Sequence, residues 1–205
     1  KFKYSHIDSS ERSKDLKTAL YLLNNARVIT SIFHSSGNGF PLGAEKNKKI
    51  FKIIFLDAGL LSKLCGLDIL IIEQAHDIIT INNGAICEQF IEQHLLYFKD
   101  WYQKPELYYW MREKKNSSAE IDYLITFRNI IIPVEVKAGK TGSLKSLQLF
   151  LSERNYHVGL RFNMDIPSVF EGKTGIPGKE KVSFKLLSLP LYLVGQTRRL
   201  LGEVV

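Results

Sequence analysis

The stretch Ala119 to Lys137, AEIDYLITFRNIIIPVEVK, places acids and a lysine where they have the types and spacing for metal-assisted chemistry. Glu120 and Asp122 alternate with Ile121, Tyr123 and Ile125, and Glu135 and Lys137 alternate with Val134 and Val136. Side chains of a β-strand point to opposite faces in turn, so each run reads as a charged face backed by an apolar one. A tight turn near Arg128 and Asn129 would pair the two runs and bring Asp122 opposite Glu135. Two carboxylates with the Val136 backbone carbonyl then form a hard-oxygen cradle suited to Mg²⁺ or Mn²⁺. Lys137 would hold or help deprotonate a water there and offset charge developing on a scissile phosphate. Without a cation the clustered acids repel one another and their pKa values rise. Glu120 shares the parity of Asp122; it either adds a carboxylate or sits at the wet end of its strand.

The elements that must hold these residues follow from periodicity. A helix is expected over roughly Ala85 to Lys99, with Glu88, Ile91 and Leu95 on one stripe. Glu88 either takes part in the site or borders the stripe and reaches out to water. A strand follows at Leu107–Met111, whose Tyr108, Tyr109 and Trp110 are candidates for stacking on bases or for the core. A polar turn at Asn116–Ser118 leads to the two charged strands. After Gly142 come a helix, Leu144 to Arg154, a strand, Tyr156 to Phe162, and a last strand over Val182–Val194 with a basic tail holding Arg198 and Arg199. Helix, three consecutive strands, helix and strand make an α/β core with a mixed sheet.

Upstream, Ser9 or Ser10 would cap an amphipathic helix over Glu11 to Asn25, on which Leu16, Ala19, Leu20 and Leu23 recur at helical spacing. Strands are expected at Val28–Phe33 and Ile50–Leu56, separated by a Ser-, Gly- and Asn-rich loop, Ser35–Gly43. Asp57 would cap a short helix through Leu64 that Gly66 ends. These elements suggest a small winged-helix-like module over residues 1–66, a connecting segment over 67–83, and the α/β domain over 84–205. Of the formal charge of +7, nearly all lies in the first 66 residues, with 11 Lys and Arg against 5 Asp and Glu; the remainder has 17 against 16. Such a concentration marks a surface for phosphate or another acidic partner, or serves solubility.

The 205 residues, 45% of them hydrophobic, suffice for a real core. Every apolar run is broken by charge well short of the ~20 residues of a membrane span, and no signal-peptide pattern is present, so a cytoplasmic setting with no membrane partner is expected. Cys65 and Cys87 form no CxxC pair and read as small buried hydrophobes. The chain opens on Lys1 with a strand-like KFKYS, as an excerpt of a longer protein would.

Acid ladder, ExK strand and a preceding helix bearing a glutamate together resemble the PD-(D/E)XK nuclease superfamily, the restriction-endonuclease-like fold. The resemblance implies a mixed sheet flanked by helices, with Asp122 as the acid of the second strand, Glu135 and Lys137 as the acid and lysine of the third, and Glu88 as the glutamate of the first helix. In exonuclease-type members a glutamine on the following helix joins the site; Gln148, in KSLQLF, matches it, or is a plain surface residue. Ile121 stands where the family pattern has proline. A closer resemblance runs through KFKYSHI, RSKDLKTAL, HSSGNGFPLGAE, FKIIFLDAGLL, GAICEQFIEQHLL, YYWMREKKNSSAEIDYLI and IIPVEVKAGKTGSLKSL. These segments are similar, in order, to the C-terminal region of prokaryotic AAA-type ATPases that carry domain of unknown function 4143. That implies an ATPase module upstream on the same polypeptide; this stretch has no GxxxxGK[ST] of its own. The expected function is Mg²⁺- or Mn²⁺-dependent cleavage of DNA with a basic accessory module. The alternatives are an inactive nuclease-fold platform that docks DNA or protein for the ATPase, and regulation of the ATPase through oligomerisation.

Overall fold

A computed structural model describes residues 10–67, 83–112, 119–139 and 142–205. The strand-like start, Ser9, the polar turn at Asn116–Ser118 and nearly all of the connecting segment lie outside the described residues. The element order is α1 (Ser13–Asn25), β1 (Ile29–Ser35), a 3₁₀ turn (Leu42–Glu45), β2 (Lys46–Phe55), α2 (Ala58–Leu64), α3 (Asn83–Leu95), β3 (Tyr108–Met111), β4 (Glu120–Phe127), β5 (Ile130–Val136), α4 (Lys145–Arg154), β6 (Val158–Asn163), β7 (Ser168–Lys173), β8 (Ser183–Pro190), a second 3₁₀ turn (Leu191–Gln196) and α5 (Thr197–Val204).

All eight strands form one mixed sheet in the order β2-β1-β3-β4-β5-β6-β8-β7. The β1–β2 hairpin of the first third joins it through parallel pairing of Phe33 with Tyr108 and His34 with Tyr109. Strands from both sides of the expected boundary therefore share one sheet. The loop after β1 is anchored as well. Gly37 has φ +62, and a Cβ on it would fall 2.9 Å from the Phe150 ring, so both its backbone and its packing call for glycine. Its carbonyl accepts from the Tyr156 hydroxyl at 3.0 Å, and that of Ser36 accepts from Arg154 Nε at 3.1 Å.

Both faces of the sheet are covered. One packs on α3, with Ile91 and Leu95 against Tyr123, Ile125, Ile132, Val134 and Val136; the other packs on α4, with Leu147 and Phe150 against Trp110, Ile121, Leu124 and Ile131. A central strand buried on both faces needs apolar residues at nearly every position, which is why β5 reads IIIPVEV. Tyr108, Tyr109 and Trp110 are 3%, 1% and 2% exposed, so they belong to the core and are not available to stack on bases.

Several boundaries differ from expectation. α1 starts at Ser13 with Arg12 at its N-cap and no side-chain cap, so Ser10 does not serve there. β2 starts four residues early, at Lys46, and β7 was not anticipated. The expected final strand ends at Pro190, and Arg198 and Arg199 lie on α5, not in a tail. Cys65 is exposed at the C-cap of α2 and so is not a buried hydrophobe, while Cys87 is half-buried on α3 and packs against the core. Asp57 does cap α2, its Oδ1 accepting from Leu60 N at 2.7 Å. Among the described residues, no helix is long and apolar enough to cross a membrane.

Candidate functional site

β4 and β5 meet through the two-residue turn Arg128–Asn129, with φ of +47 and +63. Positive φ at both central positions is the hairpin turn whose twist matches that of the strands it joins. Pairing runs from Phe127 opposite Ile130 to Tyr123 opposite Val134. One step further Asp122 comes level with Glu135, and there the Asp122 side chain takes over the ladder: Val136 N–H donates to its Oδ2 at 2.7 Å.

A bulge on the other edge of β4 aims that carboxylate. Tyr108 pairs with Leu124 but Trp110 with Ile121, so Asp122 and Tyr123 together face Tyr109. Strict alternation, which would put Ile121 and Tyr123 on one face, fails here: Ile121 packs on the α4 side and Tyr123 on the α3 side. On β5 alternation holds, with Val134 and Val136 together on the α3 side. Glu135, between them, is 5% exposed and forms an ion pair with Lys137 through Oε1, while its buried Oε2 has no hydrogen-bond donor. The stem of Lys137 lies along Gly142, where a Cβ would come within 2.7 Å of its Cδ.

Helix α3 supplies two more carboxyls. Glu88 and Glu92 are one turn apart on the stripe that carries Ile91 and Leu95. Burial raises the pKa of Glu88, and Asp122 raises it further. Burial likewise pushes Glu92 up to about 7, although the Tyr123 hydroxyl beside it favours its charge. Glu135 is also pushed to about 7, by burial and then by Asp122, against the pull of Lys137. Asp122 is raised by burial in spite of the Val136 N–H bond and the charges of Lys52 and Lys137. These carboxyls thus sense one another across α3, β4 and β5.

A second lysine enters from β2. The Lys52 ammonium pairs with Glu120 and sits 4.9 Å from the centroid of the Tyr109 ring. Burial opposes its charge, but Glu120, Asp122 and Glu88 around it hold its pKa above the ordinary lysine range. Glu88, Glu92, Glu120, Asp122 and Glu135 thus lie within electrostatic reach of one another and of the Lys52 and Lys137 ammonium groups.

The structure brings together Asp122, Val136, Glu135, Lys137 and Glu88 of the expected site. It engages Gln148 elsewhere: its Oε1 accepts from Gly175 N at 2.9 Å, tying α4 to the loop after β7. Glu92 and Lys52 were missed. Glu92 was legible in principle, one turn after Glu88 on the same stripe; Lys52 was not, since only the non-local pairing of the first hairpin carries it there.

Comparison with known proteins finds matches to two segments of the chain. Residues 83–171 match a domain of unknown function, DUF4143. Residues 1–69 match a second domain of unknown function, DUF8612. Neither a curated protein nor a solved structure matches the chain. Glu88, Asp122, Glu135, Lys137 and Gln148 fall in the DUF4143 segment, and Lys52 falls in the other.

The pocket's chemistry fits a hard divalent cation on two counts. Glu135 Oε2 is buried with nothing to satisfy it, and the carboxyls of Asp122 and Glu135 are both raised, by burial first and, for Glu135, then by Asp122, a state that a bound cation would relieve. Among the described residues no three His, Cys, Asp or Glu side chains form a ready-made metal cage. The donor set on offer is thus two carboxylates, Asp122 and Glu135, with the Val136 carbonyl.

Proposed function

We propose that this chain carries a Mg²⁺- or Mn²⁺-dependent phosphodiesterase site acting on DNA, in a restriction-endonuclease-like fold of the PD-(D/E)XK type. The supporting observation is the Asp122–Val136 hydrogen bond, which fixes the acid of β4 against the strand that bears Glu135 and Lys137. Asp122, Glu135 and the Val136 carbonyl would hold the cation, which when bound polarises the phosphoryl oxygens. Lys137 orients the attacking water and offsets charge on the phosphate in the transition state. Glu88 supports the site from α3, and the burial of Glu135 and Glu92 strengthens each charge interaction there. Exposed lysines of the first third, Lys48 and Lys49 among them, bind the DNA backbone, and an ATPase module on the same polypeptide couples to the site.

A second reading, an inactive platform that docks DNA or protein for the ATPase, draws on a different observation. Glu135 and Glu120 already have lysine partners within the chain, so part of the pocket's charge is offset internally. Incubation with plasmid and linear DNA, with and without chelator, separates the two. The nuclease reading predicts chelator-sensitive cleavage that Lys137→Ala lowers by at least ~10²-fold, within the range for removing one positioned electrostatic stabiliser, in protein confirmed to be folded at the assay temperature. Wild-type protein that leaves both DNAs intact in Mg²⁺ and in Mn²⁺, or Lys137→Ala that cleaves like wild type, contradicts it.

A further inference from the structure

Two strands lie between β2 and β4 in the sheet, yet Lys52 on β2 pairs with Glu120 on β4. Its ammonium lies over the Tyr109 ring of β3. An ammonium gives up much of its hydration to lie in such a place, which is unfavourable unless close counter-charges replace the water. Here they do: Glu120, Asp122 and Glu88 all act on it. The framework around it is fixed. Three residues further along β2, Phe55 exchanges two hydrogen bonds of 2.9 Å with the buried Gln89 carboxamide, and Gln89 follows Glu88 on α3. β2, which carries Lys52, is thereby tied to α3, which carries Glu88 and Glu92.

Building on the reading of the pocket as a divalent-cation site, we infer that Lys52 is its built-in counter-ion, an ammonium that supplies positive charge to the carboxylates and competes with the metal for them. The segment outside the DUF4143 match thus sets the metal affinity of the site within it. Lys52 acts through the carboxylates, as a positioning residue, and its effect appears in binding and in the metal-free protein, apart from turnover.

The test uses the whole chain and Mn²⁺ alone. Calorimetric titration at pH 8 is expected to show Lys52→Met binding Mn²⁺ about tenfold or more tightly than wild type, while Lys52→Arg, which keeps the charge, stays within about twofold. Without metal, Lys52→Met is expected to melt below wild type and Lys52→Arg near it. A variant-free readout keeps the test open if Lys52→Met does not fold: saturating Mn²⁺ should raise the acylation of Lys52 in the wild type, followed by mass spectrometry. Mn²⁺ binding by wild type with no gain in Lys52→Met, or with unchanged Lys52 labelling, overturns the counter-ion role and leaves the metal site standing. Absence of Mn²⁺ binding in both wild type and Lys52→Met overturns both.

Discussion

At the scale of single residues, Glu92 exposes the tension in the pocket most clearly. It is 6% exposed, and burial raises its pKa to about 7. In the unfolded chain the same group loses its proton near 4.5. Between those values the folded protein binds more protons than the unfolded one, so stability falls as pH rises and the full loss is reached above 7. A shift of this size is worth roughly 3 kcal/mol. Glu135, raised in the same direction, adds to the same fall. Glu92→Gln removes the ionisation and keeps the shape. Thermal denaturation without metal should show Glu92→Gln melting roughly 6–12 °C above wild type at pH 8 and close to it at pH 5, using the usual ~2–4 °C per kcal/mol for a chain of this size. A variant that melts below wild type at pH 8 would show that the charge is stabilising where it sits.

At the scale of elements, one helix governs the site. α3 carries Glu88 and Glu92 toward the sheet and, through Gln89, holds the free edge of β2 by its backbone. Gln93 does the same at the start of α2, accepting from Ala58 N at 3.0 Å. Gln89→Ala would leave the N–H and carbonyl of Phe55 without their partner, at a cost of about 1–3 kcal/mol. Its melting temperature should fall by about 2–10 °C, and Mn²⁺ affinity should change with it, because β2 carries Lys52; a melting temperature equal to wild type would remove this tether from the account. The sequence made much of this level legible. Apolar alternation marked β4 and β5, and Asp57 marked the start of α2. What it hid were departures from regular periods. The bulge at Asp122 and Tyr123 breaks period two where the chemistry is placed. β7 is exposed along nearly its whole length, with Val169 at 52% and Phe170 at 55%, so it carries no burial pattern to read. α5 buries only Thr197 and Leu201, too short a stripe to distinguish from a basic tail.

At the scale of the molecule, the two segments that match different domains of unknown function build one sheet and share the ion pair of Lys52 with Glu120. The basic excess of the first third is partly spent inside the fold, with Lys46 paired to Glu106 and Lys52 to Glu120. That was not visible from charge counts, because ion pairs between distant segments depend on strand order, and the parallel pairing of β1 with β3 leaves no local signal. The convergence of Asp122 with Glu135 was visible, because it depends only on a hairpin and its register. The central claim is that this convergence makes a pocket for a divalent cation, and its most direct test is calorimetric titration of Mn²⁺ into wild type and Asp122→Asn at pH 8. The asparagine oxygen can still accept from Val136 N–H, so the fold is kept while one ligand charge is removed. The account predicts saturable Mn²⁺ binding by wild type, with proton release as the raised carboxyls ionise, and at least tenfold weaker binding by Asp122→Asn. Equal binding by the two proteins, or none by wild type, would contradict it.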